Sequence, residues 1–312
     1  MADRLTSIPA RGAFATVSAS KRRVALTNLD KVFWPQTGAT KRDLLRYYAA
    51  VAPVLLPHVR GKAMVLKRYP HGASGDFFFM KRAPVPRPAW IETCAVEHGS
   101  GSVIDFVMVN DLAALLWTVN LGCIDLNPWY APCDDIGRPE YLHFDLDPVD
   151  APFERVREAA LIVRDALLAL GMPVYVKTSG ASGIHVYVPI ERGPLQKDVW
   201  AFAKLFAGRI AAVHPDILTA EYRIAKRPAG SVLVDYNQNA WGKTLASIYS
   251  VRPTPVASVS TPLDWDEVET GCEPENFRMD NVPERIAKKG DIWKALTQKR
   301  GRFNLRKMLQ GL

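Results

Sequence analysis

In Tyr141-Leu-His-Phe-Asp-Leu-Asp-Pro148, Leu142, Phe144 and Leu146 alternate with Tyr141, His143, Asp145 and Asp147. A period of two marks a β-strand with one buried face. Pro148 ends it, which sets the acidic pair near a solvated rim. Shorter apolar runs at residues 24–28, 64–69, 90–93, 102–109, 174–177, 184–188 and 231–235 read as further strands. Residues 122–129 return to extended chain, and residues 131–139 form a polar turn before the acidic strand.

Helical spacing takes over elsewhere. Leu44, Leu45, Tyr48, Val51 and Leu55 recur in steps of three and four, with Thr40 as N-cap and Asp43 completing a capping box. Residues 29–40 before it read as a loop. A second helix follows Asn110 as cap and carries Leu112, Leu115, Leu116 and Val119. Residues 151–170 carry Phe153, Val156, Ala160, Val163, Leu167 and Leu170 on one stripe, and Gly171 stands at the C′ position. Residues 195–214 read as another helix, and the stretch 281–309 as basic and partly helical.

Composition changes this picture little. The chain has 312 residues, 48% hydrophobic and 23% charged, enough for one large domain or two packed subdomains. Forty Lys+Arg against 32 Asp+Glu give a net charge of +8, which suits a polyanionic partner. Cys94, Cys123, Cys133 and Cys272 are scattered, without C-x-x-C or zinc spacing, so a structural zinc is not expected and a reducing cytoplasm is. The N-terminus lacks an apolar signal core, and no segment is long and apolar enough to span a membrane.

Asp145 and Asp147 share a strand face, where neighbours lie roughly 7 Å apart. Two carboxylates that close repel unless a cation neutralises them. The plain alternative is a solvated strand end. The turn Ser179-Gly-Ala-Ser-Gly183 is built of small residues that let backbone N–H groups approach an anion. His185 lies opposite Ile184, Val186 and Val188, away from the expected core. Asp235 ends an apolar strand and precedes Asn237, Gln238 and Asn239. Two carboxylates from one strand and a third from a distant one suit two Mg²⁺ or Mn²⁺ ions. Lys41 opposes the dipole of the helix it starts, which makes sense if an anion docks there; otherwise it is a solvated surface lysine. Phe77, Phe78 and Phe79 cannot all face one core side in a strand; they either fill core or offer a stacking platform for bases. Residues 82–88 hold three prolines and two arginines and read as a basic loop.

Asp-Leu-Asp, then Ser-Gly-x-x-Gly-x-His, then Val-Asp-Tyr-x-Gln-Asn and Tyr-Ser-Val-Arg, in that order, resemble the archaeo-eukaryotic primase superfamily. Specifically, residues 22–300 resemble the polymerase domain of bacterial ligase D and its stand-alone relatives. The resemblance implies an α/β (α+β) primase-polymerase fold, with two packed mixed-sheet subdomains and the catalytic acids on an RRM-like sheet. It implies a flexible arm over 1–21 and a catalytic domain over 22–300. That domain would divide into a DNA-binding module of about 22–130 and a catalytic module of about 131–300, followed by a basic tail over 301–312. Asp145, Asp147 and Asp235 match the metal-binding aspartates. Ser179, Gly180, Ser182, Gly183, His185, Gln238, Lys243, Arg252 and Asn127 match the nucleotide site. Asn28, Lys31 and Lys41 match a pocket for a DNA 5′-phosphate, and Phe78 and Phe79 match aromatics that stack on template bases. Residues 82–88 match a loop used in aligning two DNA ends. Asn127 and Ser182 replace the family's frequent His and Lys, which bears on nucleotide affinity and sugar preference.

The implied function is template-directed addition of NTPs or dNTPs at DNA ends or short gaps, using two Mn²⁺ or Mg²⁺ ions. The implied setting is nonhomologous end joining or gap filling in a bacterial, nucleoid-associated cytoplasmic monomer, with Ku and a separate DNA ligase as partners and no membrane. A metal-dependent nuclease and a catalytically idle DNA-end-binding module are the alternatives.

Overall fold

The computed structural model describes residues 7–97 and 101–309. Residues 1–6 of the expected arm and 310–312 of the expected tail lie outside the described residues. The chain forms two compact units. The first comprises residues 1–129, 246–259 and 277–291; the second comprises 130–245, 260–276 and 292–312.

In the first unit, strand β1 (Ala15–Ala19) pairs antiparallel with β2 (Arg22–Leu26). The two-residue turn between them sets Ser20 and Lys21 at φ +46° and +61°, the left-handed pair that matches strand twist in a tight hairpin. Regular structure therefore begins at Ala15, inside the stretch expected as a flexible arm over 1–21. β3 (Val32–Trp34) and β4 (Ala39–Thr40) form a second short hairpin where a loop was expected.

Helix α1 (Lys41–Val59) starts as its sequence dictates. The Thr40 amide donates to Asp43 Oδ2 at 2.8 Å, and the Asp43 amide donates to Thr40 Oγ1 at 3.3 Å. Leu44, Leu45, Tyr48, Val51 and Leu55 are all buried. Strands β5 (Lys62–Arg68), β6 (Phe78–Met80), β7 (Thr93–Glu97) and β8 (Val103–Met108) form a sheet of order β6-β5-β8-β7. Helix α2 (Leu112–Asn120) and strand β9 (Cys123–Pro132), which pairs with β5, follow. Two boundaries differ from expectation. The β7 strand starts at Thr93 rather than at residue 90. The α2 cap is Asp111, whose Oδ1 accepts from the Ala114 amide at 2.9 Å, while Asn110 Oδ1 accepts from the Gly61 amide.

The second unit is organised on β10 (Tyr141–Pro148). With α3 (Phe153–Ala169), β11 (Tyr175–Thr178), β12 (Ile184–Pro189), α4 (Gln196–Val213), β13 (Leu218–Thr219), β14 (Val232–Asp235) and β15 (Pro262–Leu263), it builds a six-stranded sheet of order β13-β14-β10-β12-β11-β15. Only the β13–β14 pair is parallel. Helices α3 and α4 pack on this sheet. Leu142, Phe144, Leu146, Val186, Val188, Val232 and Val234 are buried with Val156, Val163, Leu167 and Phe206. The Phe144 and Phe206 rings stand 4.9 Å apart. Gly171 closes α3 at φ +74°, the left-handed C′ conformation that glycine adopts without strain.

The other face of β10 is not the solvated rim that the alternation suggested. Tyr141, His143 and Asp145 are buried too, and only Asp147 is partly open. Cys123 and Cys272 are free and buried. Among the described residues no helix is long and apolar enough to cross a membrane.

The cap on α1 gives a direct stability test. Thr40→Ala should lower the unfolding free energy by about 1 kcal/mol, read as a shift of the urea midpoint at unchanged slope.

Candidate active site

The sheet register brings the polar residues together. Asp145 stands opposite His185 on β12 and opposite Asp235 on β14, and His185 stands opposite Lys177 on β11. Lys177, His185, Asp145 and Asp235 thus form one rung across four strands. Directly opposed residues have Cβ atoms about 5 Å apart and share a face. Asp147, two residues along β10, shares that face. One carboxylate oxygen from each of Asp145, Asp147 and Asp235 lies within 4.8 Å of the other two.

Like charges directly opposed on neighbouring strands destabilise a sheet, and the surroundings here meet that cost with donors. His185 Nε2 lies 3.1 Å from Asp145 Oδ1. Gln238 Nε2 donates to Asp235 Oδ2 at 2.9 Å, and the Asn237 amide donates to Asp235 Oδ1 at 2.8 Å. Gln238, expected at the nucleotide, is thus engaged with a carboxylate of the triad. The donor set is all oxygen and anionic, partly buried, and matches hard divalent cations better than zinc or copper.

The turn Ser179–Gly183 closes against the same site. Ser179 Oγ accepts from the Ala181 and Gly183 amides at 3.1 and 3.0 Å, and the Ser179 amide donates to Gly183 O at 2.9 Å. Gly180 sits at φ +71°. A Cβ on Gly183 would meet Leu146 O at 2.6 Å and Asp147 Oδ1 at 3.2 Å, so only glycine lets the turn approach β10 this closely. Ser182 is exposed. Lys243 is exposed too, with its amide donating to Ala240 O.

Below the triad the face is aromatic. His143 is fully buried, 3.9 Å from the Tyr130 ring and 5.4 Å from the Tyr187 ring. Burial holds its imidazole down at about 3, so the ring is neutral. Burial, with Tyr187, Asp145 and Asp235 nearby, pushes the Tyr130 phenol well up. Asn239, unremarked in the sequence beyond its place after Asp235, clamps this strand. Its Oδ1 accepts from the His143 amide at 3.2 Å and its Nδ2 donates to the His143 carbonyl at 2.7 Å, as a neighbouring strand would.

The remaining candidates belong to the first unit. Asn28 adopts φ +55°, and its carbonyl accepts from the Lys31 amide. Lys31 Nζ donates to Pro70 O at 2.6 Å, and Lys41 Nζ donates to Thr27 O at 2.7 Å. Lys41 is buried, and burial, with Lys31 and Arg68 beside it, lowers its ammonium to about 8. Three cations therefore crowd the start of α1. Phe77, Phe78 and Phe79 are all exposed, at 50%, 44% and 59%, so none fills the core. Lys67 Nζ stands 4.0 Å over the Phe77 ring, and the Arg68 guanidinium 5.2 Å over Phe78. Asn127 is buried, and Arg252 Nη1 lies 3.9 Å from Asp125 Oδ2.

Sequence reasoning missed Lys177, Asp125 and Lys67. Asp125 is 1% exposed, and its Oδ2 lies 3.7 Å from Lys67 Nζ; burial raises its carboxyl against the pull of Arg252 and Lys67. A signal for Lys177 existed in the hairpin: with the turn at 179–183, Lys177 must face His185.

A family model described as LigD, primase-polymerase domain, matches residues 40–293. The multifunctional non-homologous end joining DNA repair protein LigD of Mycobacterium tuberculosis H37Rv is 33% identical over 288 residues, covering 89% of this chain and 38% of that protein. The bifunctional non-homologous end joining protein LigD of Bacillus subtilis strain 168 is 30% identical over 272 residues, covering 86% of this chain and 43% of that one. The chain thus spans about two fifths of the length of these curated relatives. Among solved structures, the polymerase domain of Mycobacterium tuberculosis ligase D in complex with DNA superposes with a TM-score of 0.81 at 31% identity, covering 88% of this chain and 98% of that one. Sequence, fold and the ordered motifs agree: the chain belongs to the LigD primase-polymerase domain family, a family of nucleotidyltransferases.

Proposed function

We propose that this protein extends a DNA primer strand with nucleotides read from a template, at ends or short gaps that carry a 5′-phosphate, with two divalent ions held by Asp145, Asp147 and Asp235. The observation that carries this reading is the meeting of three carboxylates within 4.8 Å beside a glycine-rich turn. Such ions, when bound, act as Lewis acids that lower the pKa of the primer 3′-hydroxyl and offset the charge of the departing pyrophosphate; Mn²⁺ and Mg²⁺ both fit an all-oxygen donor set.

The protein's own groups position the rest. Gln238 and the Asn237 amide fix the Asp235 carboxylate, so the ligand set is oriented before substrate arrives. Ser179, Gly180, Ser182 and Gly183 form a turn suited to a triphosphate, with His185 and Lys243 as its polar and cationic neighbours. Asn127 and Arg252 are assigned to the nucleotide by family resemblance alone.

The 5′-phosphate reading rests on Asn28, Lys31 and Lys41. Lys31, Lys41 and Arg68 are like charges that raise one another's free energy, and a phosphate would relieve this. The exposed Phe78 and Phe79, flanked by Arg68 and Lys67, suit stacking on template bases. A DNA partner accords with the DNA-bound state of the matched mycobacterial domain and with the +8 charge. Nonhomologous end joining is the role named for the LigD relatives; Ku, a separate ligase and work at the nucleoid are carried over from the family resemblance alone.

Two outcomes test this reading. Asp145→Asn with Asp147→Asn should slow primer extension by about 1,000-fold, roughly 4 kcal/mol of barrier, while duplex binding persists in a gel-shift assay. Unimpaired extension, or metal-dependent cleavage without added nucleotide in the parent protein, would point to a different chemistry. For the phosphate pocket, gapped DNA with a 5′-phosphate should bind more tightly than the 5′-hydroxyl form, and Lys31→Ala should erase the difference. That preference should weaken as pH rises from 7 to 9, because Lys41, at about 8, loses its proton in this window. A Lys41→Arg variant should hold the preference flat across the same range, since a guanidinium stays charged. Fluorescence anisotropy with both oligonucleotides reads all of these.

A further inference from the structure

Lys177 is fully buried in the interior of the catalytic sheet, on β11. A lysine in such a place carries a large desolvation cost, and an apolar side chain would fill the space without it. Its contacts are specific. Lys177 Nζ lies 2.7 Å from His185 Nδ1 and also donates to Ser260 Oγ. Ser260 Oγ in turn donates to the Thr178 carbonyl at 2.8 Å. With its own proton directed at Thr178, the Ser260 hydroxyl accepts from Lys177. Taken as an ammonium, which has donors and no acceptor, Lys177 fills the Nδ1 lone pair of His185. The ring proton then sits on Nε2, 3.1 Å from Asp145 Oδ1.

We infer that Lys177 is a positioning residue for the metal site: it fixes the ring orientation and tautomer of His185 so that an N–H, rather than a lone pair, faces the Asp145 carboxylate. Hydrogen bonds of this outer kind orient a ligand and set its basicity, and their loss typically weakens metal affinity 10- to 100-fold. Lys177, His185 and Asp145 stand on one rung of the sheet, so β-sheet register sets their geometry, and Ser260, just before β15, anchors the ammonium. Removing the Lys177 ammonium takes this donor from Nδ1 and frees that nitrogen to carry the ring proton. Nε2 would then turn a lone pair toward an anion, and Asp145 would lose a partner that holds it in place. His185, matched by resemblance to a triphosphate contact, acquires here a second duty toward the carboxylate. The inference rests on the reading of Asp145 as a metal ligand.

The test uses the full chain without metal and then with Mn²⁺ alone. Long-range ¹H–¹⁵N correlation of the His185 ring should report the Nε2–H tautomer in the parent protein. In Lys177→Met that signature should be lost, and the dissociation constant for Mn²⁺, followed by the paramagnetic resonance of the free ion, should rise about 10-fold. Ser260→Ala removes an anchor of the ammonium without emptying the lysine site, and should move both readouts in the same direction by less. Retention of the Nε2–H form and of Mn²⁺ affinity within about twofold in Lys177→Met would overturn the inference. If Lys177→Met does not fold, Ser260→Ala decides by the same two readouts, and no movement in either overturns the inference. Asp145→Asn separates the two levels. If it leaves Mn²⁺ affinity unchanged, the metal-site reading fails and this inference with it. If it weakens binding while Lys177→Met does not, only the role of Lys177 falls.

Discussion

The site depends on strand register. Asp145 meets Asp235 and His185 because β10 pairs with β14 and β12 in one particular alignment. A slip of one residue would turn every β10 side chain to the opposite face and send Leu146 where Asp145 stands. What forbids the slip is the apolar side of the same strands. Leu142, Phe144 and Leu146 are fully buried under α3 and α4 with Val186, Val188, Val232 and Val234. Moving even one of them to a polar face would forfeit about 2 kcal/mol of transfer free energy. Hydrophobic packing on one face thus fixes the positions of charges on the other.

Those charges are held against their own repulsion. Two aspartates directly opposed across a ladder oppose the sheet's stability, and partial burial strengthens the repulsion by lowering the local dielectric. The structure answers with polar neighbours: the His185 ring 3.1 Å from Asp145, and Gln238 and the Asn237 amide donating to Asp235. The same low dielectric that makes the arrangement costly makes it effective. Preformed dipoles and charges act most strongly where water is excluded, and they need no rearrangement as the reaction proceeds. The neutral His143 under Tyr130 and Tyr187, clamped at its backbone by Asn239, supplies a dry floor for that field.

Where local chemistry decides an element, the sequence already displays it. The capping pair Thr40 and Asp43, the apolar stripe of α3 with Gly171 beyond it, and the period of β10 each carry their own signal. The acid triad was legible because Asp235 ends an apolar strand and Asp145 and Asp147 share a face. The burial of the polar face was not, since alternation separates two faces without saying what covers either. Lys177 escaped notice because a lysine at a strand end ordinarily reaches solvent; its burial follows from pairing with His185 and from Ser260, 83 residues away. Ala15–Ala19 escaped because small residues give a weak period. Asn110 and Asp111 are both capable caps, and the contact of Asn110 with Gly61 decides between them.

The cations at the start of α1 follow the same logic as the acids, with the sign reversed. Lys41 is buried and crowded by Lys31 and Arg68, and its ammonium is held down to about 8 by burial first and by its neighbours second. A folded chain that takes a charged lysine out of water binds protons less readily than the unfolded one, so this lysine costs most below about pH 8, and the cost fades as pH rises toward the ordinary lysine value of 10.5. Mutual repulsion among cations and mutual repulsion among carboxylates are each relieved by a ligand of opposite charge. The free energy stored in the empty arrangement becomes affinity when that ligand arrives, and in its absence it lowers stability. The first unit in this way gathers cations and the second carboxylates, and each cluster is built from side chains whose positions the hydrophobic core dictates.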